Sequence, residues 1–304
     1  MIINWNKTRE YLKDVRSGKV QEGYKLGFDD IDQYLRFKES NFNVILGHAN
    51  VGKTTIILYL MLSYSIKNNI KWLIYSSENE SHSILRKLVE FLDLKPINKI
   101  SEEDFNKHLE YIGKYFKIID NSTMYSYKTL LEFAEEMHSV WKFNGMLIDP
   151  YNSLIKDNSL LKGLGGHEYD YQATTEIRMF CKKNKVSVWL NTHAATNSLR
   201  VKHPVDHIYG GHPIPPLASD VEGGGKFVNR ADDFLVIHRY TQHPTDWIQT
   251  HLHIRKVKEV ETGGRPTPID NPIVMNSIPN NVGFEIGGKK IIETELKDKE
   301  KIPF

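Results

Sequence analysis

With 304 residues, 40% hydrophobic and 26% charged, the chain has the composition of an ordinary folded protein, which excludes wholesale disorder and a fibrous architecture. A net charge of +2 excludes a surface that is basic throughout, so any contact with nucleic acid has to be local. The single cysteine, Cys181, excludes an internal disulfide and a thiolate-rich zinc site and fits a reducing compartment. No apolar run approaches the roughly 18 to 20 residues of a membrane span, and the opening MIINWNKTREYLKD lacks a signal peptide's apolar core. The expected location is the cytoplasm.

In chain order, residues 4–20 read as a short amphipathic helix with Trp5, Tyr11, Leu12 and Val15 near one face, folded back on its own domain or docked on a neighbour. The apolar strand FNVILG follows and runs straight into a glycine-bearing loop and a helix, TTIILYLMLSYSIKNN. The alternation continues with strand WLIYSS (72–77), a helix through ILRKLVEFLDL, strand YFKIID (115–120) and a helix through KTLLEFAEEMHSVWKF. Then come strand GMLID (145–149), a polar loop, helix QATTEIRMFCKKN and strand VSVWLNTH (186–193). Short buried strands alternating with helices predict an α/β fold with a mostly parallel sheet flanked by helices. A glycine- and proline-rich stretch breaks the pattern over 194–226, a long loop of the kind that is usually functional or disordered. DDFLVIHRY and THLHIRKVKE then predict strands closing the sheet in antiparallel fashion. The organisation is a docking segment at 1–20, one large domain at 21–290 and a polar tail at 291–304.

The segment GHANVGKTT, Gly47 to Thr55, fits G-x-x-x-x-G-K-[ST] between an apolar strand and a helix, the context that gives this pattern its meaning. Gly47 and Gly52 let the backbone at Asn50 and Val51 wrap a phosphate, and the helix start at Thr54 and Thr55 adds partial positive charge. Lys53 would reach the β- and γ-phosphates of ATP, and the Thr54 hydroxyl would ligate Mg²⁺. Hydrolysis needs a second metal anchor and a group that orients water. Asp149, ending strand GMLID, is the candidate anchor, and Glu78, just past strand WLIYSS, reaches the same strand-end edge.

On these residues the chain resembles the RecA-fold motor of DnaB-type replicative helicases, including phage primase-helicases and Twinkle, over about residues 21–285. The resemblance includes GYKLGFDDIDQYL ahead of the P-loop and MLIDPYNSL at the Walker B position. It implies that Glu78 in YSSEN is the catalytic base and that His193 in LNTH senses the γ-phosphate. It places Arg239 against the nucleotide base. SDVEGGGKFVNRADDFLVIHR resembles the family's DNA-binding segment, which puts Gly223, Gly224, Gly225 and Lys226 toward a central channel, with Arg200 and Lys202 as further DNA contacts. IRKVKEVETGG matches the stretch with the trans-acting cations, at Lys256 and Lys258. The second of these is a departure, since lysine cannot make arginine's bidentate fork, and Arg255 or Arg265 could take its place.

The implied function is ATP hydrolysis at subunit interfaces of a homo-oligomer, a hexameric ring, coupled to movement along single-stranded DNA. Primase or other replisome proteins are the implied partners, no membrane is involved, and the setting is bacterial or phage-infected host cytoplasm. A RecA-like ATP-dependent switch or recombination mediator that binds DNA without unwinding is the alternative. A P-loop kinase is weaker, because no arginine-rich lid follows the core. His203, His207, His212, His251 and His253 admit a zinc reading, against which stands the lack of nearby cysteines.

Overall fold

The computed structural model describes residues 2–19, 22–157 and 165–292. Its helices are α1 (Trp5–Arg16), α2 (Asp29–Asp32), α3 (Lys53–Asn68), α4 (Ser81–Asp93), α5 (Glu102–Tyr115), α6 (Tyr127–Val140), α7 (Gly166–Asn184) and α8 (Lys226–Arg230). Its strands are β1 (Phe42–Gly47), β2 (Trp72–Ser76), β3 (Phe116–Ile118), β4 (Gly145–Asp149), β5 (Ser187–His193), β6 (Asp233–His238), β7 (Gln249–Val257), β8 (Ile273–Ser277), β9 (Phe284–Ile286) and β10 (Lys289–Lys290).

Among the described residues these strands join one sheet in the order β10-β9-β8-β7-β6-β1-β5-β4-β2-β3. From β3 to β6 the pairs are parallel, and from β6 outward to β10 they are antiparallel. β1 is the centre of this arrangement, paired with β5 (Phe42 beside Val188) and with β6 (Asn43 beside Asp233). Every residue of β1, β2, β4 and β6 is buried, as expected of strands covered on both faces. Ile45, Ile74, Leu147 and Trp189 pack on one face with α3 and α4, while Val44, Leu73, Ile148 and Leu190 pack on the other with α6 and α7. α3 is buried almost all round, which explains why its sequence is apolar on every side rather than amphipathic.

The 194–226 stretch is more ordered than a plain loop. His203 N–H donates to His212 O at 2.9 Å and Ile214 N–H to Val201 O at 3.1 Å, so residues 201–214 form a hairpin-like excursion. Stacked rings fix it to the sheet: Tyr209 lies on Tyr240, centroids 3.7 Å apart, and His203 Nε2 shares a hydrogen bond with Tyr240 Oη at 2.8 Å. α1 has no buried residue, and Trp5, Tyr11, Leu12 and Val15 are all exposed. Its start is capped from within, with Asn4 Oδ1 accepting from Lys7 N–H. Ile291 and Ile292 are buried against the core, and the polar tail beyond them lies outside the described residues.

Candidate active site

The P-loop closes on itself at positions where only some residues fit. A Cβ on Gly47 would lie 2.5 Å from Ile237 O, and Gly52 takes φ +81°, so neither tolerates a side chain. Asn50, at φ 62°, is a residue type that accepts the left-handed region. Val51 anchors the loop in the core. Lys53 then starts α3, and its ammonium donates to Gly47 O at 3.1 Å and His48 O at 2.9 Å. Burial holds this lysine down at about 8, against the opposing pull of Asp149 and Glu78.

Three strand ends meet beside it. Asp149, buried at the end of β4, accepts from Thr54 Oγ1 at 2.8 Å and from Ser76 Oγ at 3.3 Å. Asn191 Nδ2 donates to its other oxygen. Burial raises the Asp149 carboxyl, and the bonds from Asn191 and Thr54 oppose the rise. His193, at the end of β5, lies between Lys53 and Glu78: its Nδ1 is 3.3 Å from Lys53 Nζ and its Nε2 3.3 Å from Glu78 Oε1. Lys53, Thr54, Glu78, Asn191 and His193 line a cavity of about 690 Å³, together with Asn50, Thr55, Asn79 and Glu222.

A hydroxyl and a carboxylate in contact, beside a loop shaped for phosphates, suit Mg²⁺, which takes one or two protein oxygens and completes its shell with phosphate and water. The zinc reading of the histidines has no cluster to rest on, since no group of three or more His, Cys, Asp or Glu side chains among the described residues could hold a metal ion. His203 and His207 instead stack on each other at 4.0 Å, and His251 and His253 are buried in neutral form, burial driving both below the usual histidine value.

Several sequence-predicted positions fall elsewhere than expected. Lys226 does not face open space: it is buried, 3.3 Å from Asp170 Oδ2, and donates to His167 O at 3.2 Å. Each charge of this pair offsets the cost of burying the other. Lys256 is likewise committed within its own chain, donating to Val228 O and Ala231 O at 2.7 Å each, carbonyls that the end of α8 leaves open. Lys258 is more exposed and lies 3.5 Å from Asp232 Oδ1. Arg265 is tied to Gln33 and stacked over Tyr34. Arg255 is half-buried with Nε unpartnered. Arg239 lies beside the P-loop, its Nη1 4.0 Å from where a Gly52 Cβ would stand, and its guanidinium over Trp247. Arg200 and Lys202 are exposed, and Gly223 and Gly224 take positive φ in the turn before α8.

Asn191, Ser76 and Asn152 belong to the site although sequence reasoning does not select them. Asn152 Oδ1 accepts from Thr192 Oγ1 and from His193 N–H, both at 2.9 Å, and so fixes the end of β5. Asn191 does carry a signal, since a lone amide after the apolar run VSVWL is costly to bury unless it has a partner.

Against solved structures, an ATPase domain superposes with a TM-score of 0.72 at 15% identity, covering 93% of this chain and 99% of that one. A DnaB-like replicative helicase, from a structure concerned with its interactions with primase, gives 0.69 at 16% identity and covers 93% of this chain and 67% of its own. The chain has the fold of a DnaB-like ATPase domain. A KaiC-like protein from the archaeon Pyrococcus horikoshii is more distant, at 0.55 and 14% identity over 88% of this chain. No family model matches the sequence. Among curated proteins, the Twinkle homolog protein, chloroplastic/mitochondrial, of Arabidopsis thaliana is 25% identical over 79% of this chain. The chain spans 34% of that relative's length. No helix among its described residues is long and apolar enough to cross a membrane.

Proposed function

We propose that this DnaB-like domain hydrolyses ATP and uses the energy to move along single-stranded DNA as one subunit of a homo-oligomeric ring, a hexamer. One observation carries the reading: Lys53, Thr54, His193 and Glu78, from three separate parts of the chain, line one cavity of about 690 Å³ at the strand-end edge of the sheet, and Asp149, from a fourth, is hydrogen-bonded to Thr54 beside it. Lys53 would exchange its carbonyl partners for the phosphates. Thr54 and Asp149 would hold Mg²⁺, whose charge offsets that of the phosphates. Glu78 would take a proton from the attacking water, with His193 fixing its orientation and standing within reach of the terminal phosphate.

Strand direction supports a trans contribution. β7 runs antiparallel to β6, so Val257 sits level with Asp233, which is level with Asn43 at the start of β1. Lys258 is thus about four residues of strand, roughly 13 Å, from the Gly47 end of β1 and cannot serve its own P-loop. Across a head-to-tail contact it would serve a neighbour's, as a point charge on the transferring phosphoryl group. Lys256 supports the carbonyls of α8 instead. Exposed Arg200 and Lys202 are the proposed phosphate contacts to DNA, with Gly223, Gly224 and Gly225 allowing close approach of the backbone. Primase and other replisome proteins are the proposed partners.

The test is strand displacement on a forked duplex, with ATPase turnover measured with and without single-stranded DNA. Turnover stimulated by the single strand, with unwinding, supports a helicase motor. Stimulated turnover without unwinding by the assembled ring supports the DNA-binding switch.

A further inference from the structure

The P-loop and the segment proposed to meet DNA are joined by one side chain. His48 follows Gly47 in the P-loop and is 4% exposed. Its Nε2 lies 2.8 Å from Ser198 Oγ, 150 positions away in sequence. Ser198, also buried, gives its hydroxyl proton to Ala195 O at 2.7 Å. A hydroxyl has one proton to give, so His48 Nε2–H is the donor to Ser198 and Nδ1 carries the lone pair. That Nδ1 is buried without a hydrogen-bond partner. Ser198 is therefore the polar anchor of the His48 ring. The serine sits in the single turn Thr196–Arg200, which ends on Arg200 and leads into Lys202.

The other end of the link is the His48 backbone. Its carbonyl accepts from Lys53 Nζ at 2.9 Å, alongside Gly47 O at 3.1 Å. A triphosphate in the loop competes for that same ammonium with more negative charge than a carbonyl offers. The peptide that loses its partner is the one that carries the ring bonded to Ser198.

We propose that His48 is a positioning residue that couples nucleotide occupancy to the placement of the Arg200–Lys202 segment, with Ser198 as the receiving end. The inference rests on the reading of that segment as the DNA contact. The hydrogen bond is suited to the task because both partners are buried. A shift of the His48 backbone has to carry Ser198 with it or leave two polar atoms unpaired away from water. Couplings of this kind between two sites commonly change affinity about 5- to 150-fold.

The test is the nucleotide dependence of single-strand affinity, a ratio that a merely structural role would leave unchanged. Anisotropy of a fluorescein-labelled oligothymidylate is measured on the full chain with and without a non-hydrolysable ATP analogue. The wild type is expected to show a ratio well away from one. Ser198→Ala leaves the buried His48 Nε2–H without an acceptor and so should lower the melting temperature, but with the fold and basal ATPase kept it should bring the ratio close to one, and Ser198→Thr, which retains the hydroxyl, should preserve it. Adding His48→Ala to Ser198→Ala should change the ratio no further. A wild-type ratio that survives in Ser198→Ala overturns the inference and leaves the motor reading standing. A wild type that binds the oligonucleotide equally with and without nucleotide overturns the inference too. A wild type that does not bind it at all overturns the DNA reading, and the inference with it.

Discussion

ATP affinity should fall as pH rises through about 8, because the P-loop lysine loses its proton there and not near the 10.5 of a free lysine. Burial is the main cause, and the sign follows from it. Between those two values the folded chain has released a proton that the unfolded chain keeps, so this group's contribution makes the fold more stable as pH rises across the window. Nucleotide binding runs the other way, since only the ammonium attracts a triphosphate. With a value of about 8, one lysine in eleven is still charged at about pH 9 and ten in eleven at about pH 7, so affinity drops roughly tenfold between them. The assay is a titration with a fluorescent ATP analogue and Mg²⁺ across that range. Lys53→Ala should bind more weakly at about pH 7 and show no slope. A flat wild-type profile, or the same slope in Lys53→Ala, would refute the assignment of the titrating group.

Replacing Glu78 by Gln should leave ATP binding intact and cut turnover by about 10²- to 10⁴-fold, measured by phosphate release. Full turnover would move the base elsewhere, with Glu80 the first place to look. Replacing Arg200 and Lys202 by Ala together should lower the slope of log affinity for single-stranded DNA against log salt by about 1.4, two single-strand phosphate contacts' worth, with basal ATPase unchanged. An unaltered slope would take the DNA path off this hairpin. A mixture of Lys53→Ala and Lys258→Ala proteins, at a concentration where assembly is confirmed, should regain part of the ATPase that each lacks alone. A mixture as inactive as its components would place the whole site within one chain.

The part of the fold legible in the sequence is the part where burial left an uninterrupted apolar run. β1, β2, β4, β5 and β6 are each predicted within a residue or two for that reason, and β7 by the alternation of Leu252 and Ile254 with polar residues. α5 offers no such run because it is a surface helix, burying only Ile112 and Tyr115. Its signal is at its start, where Ser101 accepts from Asp104 N–H and three acidic residues occupy the first turn. β9 and β10 are too brief for periodicity to register, and β8, as long as β2 and β4, is only partly buried and ends in the polar Asn276 and Ser277. Within the site, motif residues such as Lys53, Thr54 and Asp149 announce themselves, because each stands in a local pattern whose geometry follows from the pattern itself. Lys226 does not: a lysine after three glycines reads as free, and nothing local reveals that Asp170, on α7, lies against it. Lys256 fails for the same reason, its carbonyl partners being 25 and 28 positions away.

Because β7 runs against β6, the P-loop and Lys258 occupy opposite ends of one sheet, and in a ring each subunit would own half of two different sites. In a ring assembled from a fraction f of inactive subunits, a protein defective at one end disables sites in proportion to f. One defective at both ends leaves only (1 − f)² of them working. Doping wild type with Lys53→Ala and with the Lys53→Ala, Lys258→Ala double mutant should therefore give a straight line in one case and a curve in the other.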